Sequence, residues 1–372
     1  MRGRVANADR QRRRGASGSP PRPRGVVVPQ VGIVATGAYV PDTVVSNEEV
    51  ARGAGVTDEW IVRKTGIRER RRADDRDATS DLAARAARAA LEQADVAPED
   101  VAFIVLATST PDHPQPATAS IVQHLLGAVN AAAFDINAVC SGFVYATAVA
   151  ERLLRGAGEG RYALVIGADI YSRILDYSDR KTAILFGDGA GAVLLGTVPQ
   201  ARGIQETSLL TRGDQYRLIS VPAGGSRMPA SDRTLREGSH FFRMDGRGVR
   251  SFVQDNLPGA LHELLDRAGV GRDQVRHFVP HQANGVMLGE VWPQLELPGA
   301  TMHLALEKYG NTGSASVPIT LDVAHRKGEF ADGETVLMAG FGGGMTVGAI
   351  LTQWAPTAYA RAAAQHVTAT VA

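Results

Sequence analysis

The chain has 372 residues, long for one typical domain and short for three, and is 44% hydrophobic and 21% charged, the balance of a globular protein with a large core. Its formal charge of +1, and the lack of any uncharged apolar run near the ~18 residues of a membrane span, argue against a nucleic-acid or membrane partner. One cysteine, Cys140, excludes an internal disulfide framework and any multi-cysteine metal cluster, so no metal site is expected and the chain reads as cytoplasmic.

The near-neutral total hides two unlike parts. Residues 1–25 hold eight of the 40 basic residues and one of the 39 acids, a net +7, which leaves 32 bases against 38 acids, a net −6, in the remainder. That first segment is poor in large apolar residues and rich in Gly, Ser and Pro, so it is expected to be a disordered tail, either a solvated extension or a nucleic-acid arm. It lacks the apolar centre of a secretory signal. Residues 356–372 form a second tail.

From Val26 onward, strand-like and helix-like segments alternate. Val31–Ala35 reads as a short strand. A helix opened by Ser46 runs to Ala54, with Glu48 and Glu49 in its first turn. An Ala-rich helix spans Asp81–Ala94, then come a strand over Val101–Ala107 and a helix over Thr118–Leu126. Such alternation predicts an α/β fold with strands buried on both faces.

The chain also repeats itself. Val96–Ala107 lies over Val270–His281 at an offset of 174 residues, and Cys140–Ala168 over Thr312–Gly340 at an offset of 172. Each of the longer pair reads as a helix of about five turns, a Gly-containing loop and a strand, Ala163–Ile166 or Thr335–Met338. Each strand then runs into a Gly-rich hairpin, Phe186–Leu195 or Phe341–Leu351. Two similar α/β halves follow, 26–200 and 201–355, packed around shared helices with equivalent loops meeting at one crevice.

Three residues hold equivalent addresses in those halves. Cys140 heads a segment, Cys140–Ala150, without an acid or a base, so its helix is expected to be buried. A thiol at a helix N-terminus meets the positive end of the dipole, which favours the thiolate. His281 ends the strand that matches Val101–Ala107, where open α/β sheets place ligands. Asn311 immediately precedes the second-half helix, as a cap or as a functional amide, and the two roles are compatible. The glycines of Gly187–Gly191 and Gly342–Gly344 fit neither a P-loop nor a dinucleotide fingerprint and read as tight turns. The second group is also placed to bring a backbone N–H to an oxyanion.

From about Val31 to Trp354 the chain resembles the 3-oxoacyl-acyl-carrier-protein synthase III family, thiolase-fold condensing enzymes. The resemblance rests on Asp58-Glu59-Trp60-Ile61-Val62 with Thr65-Gly66-Ile67-Arg68, on Cys140-Ser141-Gly142-Phe143 and on Phe186-Gly187-Asp188-Gly189-Ala190. Val279-Pro280-His281-Gln282-Ala283-Asn284, Gly310-Asn311-Thr312 and Gly340-Phe341-Gly342-Gly343-Gly344 complete it. It implies a layered α-β-α-β-α core and a homodimer. Cys140 would take an acyl group from acyl-CoA, with the backbone N–H groups of Cys140 and Gly343 holding the oxyanion. His281 and Asn311 would donate to a malonyl thioester, carried on coenzyme A or on an acyl carrier protein, as it loses carbon dioxide. Coenzyme A would bind as a substrate, with no permanent cofactor, against Trp60, Lys64, Arg180 and Asn284. Lys64 stands where the family has arginine. The basic run Arg63-Lys64 and Arg68 to Arg72 beside Trp60 suits the phosphates.

An acyl pocket of Gln115, Tyr171, Phe186 and Phe341 is implied as well. Gln115 replaces an aromatic that reaches across the dimer, and Tyr171 replaces a leucine. Val286 replaces a basic residue that helps to dock carrier proteins. These departures keep open an alternative, a synthase III-like acyltransferase to an oxygen or nitrogen nucleophile, or a thioester hydrolase. Two cysteines would mark a thiolase and a catalytic glutamate a hydroxymethylglutaryl-CoA synthase; chalcone synthases share Cys, His and Asn but are set apart by the Trp60 and Gln282-Ala283-Asn284 motifs.

Overall fold

The computed structural model describes residues 30–158, 160–199 and 202–355. The Arg-rich segment 1–25 and the tail 356–372 lie outside them, as does the predicted boundary at 200–201. The first half runs β1 (Gln30–Tyr39), α1 (Asn47–Ala54), α2 (Asp58–Thr65), α3 (Thr79–Ala94), β2 (Val101–Ala107), α4 (Thr118–Leu126), β3 (Ala132–Ile136), α5 (Gly142–Leu154), β4 (Tyr162–Ile170) and β5 (Asp188–Val198). The second runs β6 (Gly203–Thr211), α6 (Gly246–Ala268), β7 (His277–Pro280), α7 (Gly285–Val291), β8 (Thr301–Met302), α8 (Ser316–Arg326), β9 (Thr335–Gly342) and β10 (Thr346–Gln353).

Each half builds one five-stranded sheet, ordered β1-β5-β4-β2-β3 and β6-β10-β9-β7-β8. The orders are equivalent strand for strand. In each, the last three strands are parallel and the first two antiparallel. The internal repeat in the sequence is thus a repeat of topology. Helices α5 and α8 lie between the two sheets, α3 covers the outer face of the first and α6 that of the second, the layering of a thiolase fold.

Composition explains the layers. Helix α3 buries Ala83, Ala84, Ala86, Ala87 and Ala90, small enough for the helix to lie close on its sheet; α6 buries Leu257, Leu261, Leu264 and Leu265. The central helices come closer still. A Cβ on Gly191 of β5 would stand 2.6 Å from the Ile319 backbone nitrogen, and one on Gly167 of β4 would stand 2.4 Å from the Ser314 carbonyl. Glycine is required there by the approach of α8 and its lead-in, not by a turn.

Some expectations need correcting. The first strand runs on to Tyr39, because polar Thr36 is buried with its hydroxyl donating to Asp322 Oδ1 at 2.7 Å. The Ala-rich helix starts two residues earlier, at Thr79, with the Asp81 carboxylate accepting from the Ala78 N–H. Helix α5 has 13 residues, under four turns, and follows a 3-10 turn over Val139–Ser141 that contains Cys140. Only the second half has the expected hairpin, β9 to β10. In the first half residues 171–187 intervene between β4 and β5, so Gly187–Gly191 opens a strand instead of making a turn.

Candidate active site

The Cys140 turn is held by both halves. Val139 before it has φ +46°, a strained setting for a β-branched residue and one that clusters at functional sites. From the second half, β9 lies against the turn: a Cβ on Gly342 would stand 2.8 Å from Cys140 Cβ. Ser141 is fully buried and accepts from Thr346 Oγ1 at 2.9 Å. Cys140 itself is 6% exposed.

That burial reverses the expected protonation. Loss of water pushes the Cys140 thiol up to about 12, and the Asp169 carboxylate adds to the rise. The Tyr171 hydroxyl and the cysteine's own backbone N–H act the other way and are outweighed. The resting side chain is a thiol.

His281 follows β7 directly, with its N–H on the Ala339 carbonyl at 2.7 Å. Its Nδ1 is 2.6 Å from Ser316 Oγ at the start of α8. Ser316 Oγ also accepts from Gln282 N–H at 3.3 Å. Where the Ser316 O–H donates to Nδ1, the ring carries its proton on Nε2. Burial holds the imidazole down to about 3, so it is neutral. The Phe341 ring packs edge-on at 5.2 Å.

Asn311 bridges the halves. Its N–H donates to Leu185 O at 2.8 Å, its carbonyl accepts from Gly187 N–H at 3.0 Å, and it forms an isolated parallel bridge with Phe186. Its side-chain Oδ1 accepts from Gly313 N–H at 2.9 Å, which caps the 3-10 turn ahead of α8 and leaves Nδ2 as the amide's donor. Capping and a free donor are both present.

Cys140, His281 and Asn311 line one cavity of about 1050 Å³, together with Trp60, Lys64, Arg180, Asn284, Phe186 and Phe341. Gly342 lines it; Gly343 instead packs beside Val139 and Ile219. Tyr171 is not on the wall. It is buried behind it, its ring stacked on Phe186 at 4.4 Å and edge-on to Phe242 at 5.6 Å, with its hydroxyl at Cys140. Gln115 is exposed on the loop before α4 and does not line its own chain's cavity. Asn284 caps α7 with Oδ1 and donates through Nδ2 to the Lys64 carbonyl at 3.0 Å, tying the two lips together.

The basic run beside Trp60 divides. Lys64 reaches the cavity, but Arg68 pairs with Glu307 at 2.9 Å, Arg71 with Glu69 at 3.2 Å and Arg72 with Glu49 at 2.9 Å. Arg70 is 3% exposed and donates to Asn47 Oδ1 at 2.7 Å and Ile184 O at 2.9 Å. These four arginines are engaged within the chain, Arg70 as a buried donor and the other three in ion pairs. The positive charge of the mouth comes mostly from residues that sequence reading passed over: Lys181, Arg217, Arg243, Arg247 and Arg250, with Asp245 the acid among them. Three of the five cluster around the start of α6, a signal present in the sequence as Arg243-Met244-Asp245-Gly246-Arg247 with Arg250 three residues on. Among the described residues no group of three or more His, Cys, Asp or Glu side chains is gathered to hold a metal, and no helix is long and apolar enough to cross a membrane.

Comparison with known proteins bears on the family. Family models described as 3-oxoacyl-[acyl-carrier-protein (ACP)] synthase III and its C-terminal part match residues 134–213 and 265–354. The chain is 57% identical over 325 residues to acetoacetyl CoA synthase NphT7 of Streptomyces sp. (strain CL190), covering 87% of this chain and 98% of that one. It is 43% identical to a beta-ketoacyl-[acyl-carrier-protein] synthase III of Caldanaerobacter subterraneus subsp. tengcongensis, covering 87% and 97%. Among solved structures, the 3-oxoacyl-[acyl-carrier-protein] synthase III of Aquifex aeolicus superposes with a TM-score of 0.79 at 35% identity, covering 87% of this chain and all of that one. With the shared fold, the coverage and the three converging side chains in place, the chain belongs to the 3-oxoacyl-acyl-carrier-protein synthase III family of condensing enzymes.

Proposed function

We propose that Cys140 takes an acyl group from acyl-CoA and that the acyl-enzyme is then attacked by the enolate of a decarboxylating malonyl thioester. The observation that carries this is the convergence of a buried cysteine with two neutral N–H donors, His281 Nε2 and Asn311 Nδ2, in one cavity. Decarboxylation places negative charge on the thioester oxygen, and two fixed donors in a water-poor site stabilise it without reorganising. Because His281 is neutral, it donates without taking up a charge that the site would have to stabilise. Gly342 and Gly343, glycines at the Cys140 turn, allow a backbone N–H near the acyl oxygen; the oxyanion role of Cys140 and Gly343 stays part of the proposal.

The acceptor is proposed to be a coenzyme A thioester. A relative at 57% identity is named as an acetoacetyl CoA synthase. Exposed Val286 and a following stretch to Pro298 without Lys or Arg offer nothing basic to an acidic carrier protein, whereas the arginines of the cavity mouth suit phosphates. Trp60, half-buried on α2, offers a face for the adenine and Arg180 a cation beside it. A homodimer is proposed too: β3 is the outer strand of its sheet, and α5 exposes Val149 and Leu153.

The experiment is direct. The protein is incubated with a panel of acyl-CoAs and its intact mass recorded, then malonyl-CoA or malonyl-acyl carrier protein is added and released carbon dioxide measured. The expected result is an adduct that is lost in Cys140→Ala and carbon dioxide release with malonyl-CoA. An adduct surviving Cys140→Ala overturns the nucleophile. Loading without carbon dioxide release returns the acyltransferase or hydrolase reading.

A further inference from the structure

A neutral imidazole carries one ring hydrogen, and the nitrogen that holds it decides whether His281 offers the cavity a donor or a lone pair. Nδ1 is 2.6 Å from Ser316 Oγ. Nε2 has no protein partner among the described residues, and His281 lines the cavity, so Nε2 is the nitrogen left for a ligand. The ring itself is held firmly. The His281 backbone N–H donates to Ala339 O at 2.7 Å, Phe341 packs edge-on at 5.2 Å, and the residue is 1% exposed. With the ring so held, only the place of its hydrogen is left to settle.

Ser316 stands where that is decided. It is the first residue of α8 and is 1% exposed, and its Oγ accepts from Gln282 N–H at 3.3 Å besides meeting Nδ1. Among the described residues those are the hydroxyl's two hydrogen bonds. A helical serine or threonine often gives its hydrogen to the carbonyl four residues back. Thr320 does so in the same helix, onto Ser316 O at 2.8 Å, and Thr147 does so in α5, onto Phe143 O at 2.8 Å. Ser316 makes no such bond to the Thr312 carbonyl. Two arrangements remain. With the ring hydrogen on Nδ1, Nδ1–H donates to Ser316 Oγ, the serine's own hydrogen is buried without an acceptor, and Nε2 turns a lone pair to the cavity. With the ring hydrogen on Nε2, Ser316 O–H donates to Nδ1 and Nε2–H faces the cavity. The first leaves a buried hydroxyl hydrogen unpaired, so the second is favoured.

We infer that Ser316 is a positioning residue of the active site: its hydroxyl holds the His281 hydrogen on Nε2 and so keeps the imidazole a donor to the bound thioester. Its address ties this to the second donor. Asn311 Oδ1 accepts from Gly313 N–H at 2.9 Å in the 3-10 turn that leads into α8, and Ser316 opens the helix directly after that turn. One helix start therefore orients the donating amide of Asn311 and fixes the hydrogen of His281. Gln282 secures the other side of the serine. Its Nε2 donates to Pro280 O at 2.7 Å and its Oε1 accepts from Ala305 N–H at 2.9 Å, which anchors the residue whose backbone N–H meets Ser316 Oγ. Ser316 is not on the cavity wall and acts through His281 alone.

The inference rests on the proposed role of His281 as a donor in condensation, and the test keeps the two apart. The ring nitrogens are read directly by long-range proton–nitrogen NMR at neutral pH, on perdeuterated protein carrying nitrogen-15 histidine. The His281 signals are those lost in His281→Asn. Wild type is expected to show its hydrogen on Nε2; hydrogen on Nδ1 would overturn the inference. Loading of Cys140 from acetyl-CoA and carbon dioxide release from malonyl-CoA are then measured for wild type, Ser316→Ala, Ser316→Thr, His281→Asn and the double variant His281→Asn/Ser316→Ala. Thermal melts show that each is folded. Ser316→Ala is expected to slow carbon dioxide release by about tenfold or more, toward the about 10²–10³-fold of a whole missing donor, while loading persists. Ser316→Thr keeps the hydroxyl and restores the rate. In the His281→Asn background, which has no Nε2, Ser316→Ala is expected to cost nothing further. Equal slowing in both backgrounds would give Ser316 a structural role only, and an unchanged rate in Ser316→Ala would free the tautomer from it; either overturns the inference. Absence of carbon dioxide from wild type would overturn the condensing reading instead, with the tautomer still decided by the spectra.

Discussion

Replacing His281 by Asn tests the claim that this imidazole stays neutral. The ordinary value is 6.5 and burial lowers it to about 3 in the folded chain. Between those values the unfolded chain binds a proton that the folded chain refuses, so stability falls as pH falls through this window and levels off near 3. Linkage makes the cost small at pH 7 and about 3 kcal/mol at pH 4.5. The residue is 1% exposed, so screening by solvent does not discount that figure. Urea unfolding of wild type and His281→Asn is measured at both pH values and at fixed protomer concentration. Every other titrating group is common to the two proteins and cancels. Wild type is expected to lose about 2–3 kcal/mol more than the variant on acidification. Equal losses would mean that native His281 is protonated in acid without penalty, and the neutral-donor role would fall with that result.

Three other outcomes follow from the geometry. Asn311→Ala should lose about 10²–10³-fold in carbon dioxide release, the scale of one oxyanion donor, while acetyl loading of Cys140 persists; loss of loading as well would place Asn311 in the first half-reaction. Trp60→Ala should raise KM for acyl-CoA about tenfold, near 1.4 kcal/mol, with kcat little changed; a fall in kcat at constant KM would remove Trp60 from ground-state binding. Gly342→Ala puts a methyl 2.8 Å from Cys140 Cβ and 3.2 Å from its sulfur. Displacing that turn should cost about 1–3 kcal/mol in a thermal or urea melt and abolish most acyl loading; a fully active variant would show that the turn yields freely.

Much of this protein was legible before folding. The offset of 172–174 residues between Cys140–Ala168 and Thr312–Gly340, and between Val96–Ala107 and Val270–His281, anticipated two sheets of one strand order. Motif spacing also pointed to Cys140, His281 and Asn311 as partners. Less legible were properties that depend on what lies near in space. Arg68, Arg71 and Arg72 form a local basic run, yet Glu307 and Glu49, their partners over distance, stand 239 and 23 residues away from Arg68 and Arg72. The charge that reaches the cavity comes instead from around α6.

The cysteine shows the same limit more sharply. A helix N-terminus is a local feature, and read alone it favours a thiolate. Desolvation is a sum over everything packed around the sulfur, including β9 through Gly342 and Tyr171 from a segment the sequence presented as a hairpin approach. The sum outweighs the local feature, and the sign of the prediction changes. Asp169 was invisible for a related reason: its six donors come from Thr108, Ser109 and Thr110 in one half and Ser314 in the other, small hydroxyl residues that carry no motif. They gather because parallel strands β2 and β4 end side by side and the lead-in to α8 crosses them at Gly167. The repeat that made the fold readable is therefore also what places one half's carboxylate beneath the other half's turn, next to the only cysteine in the chain.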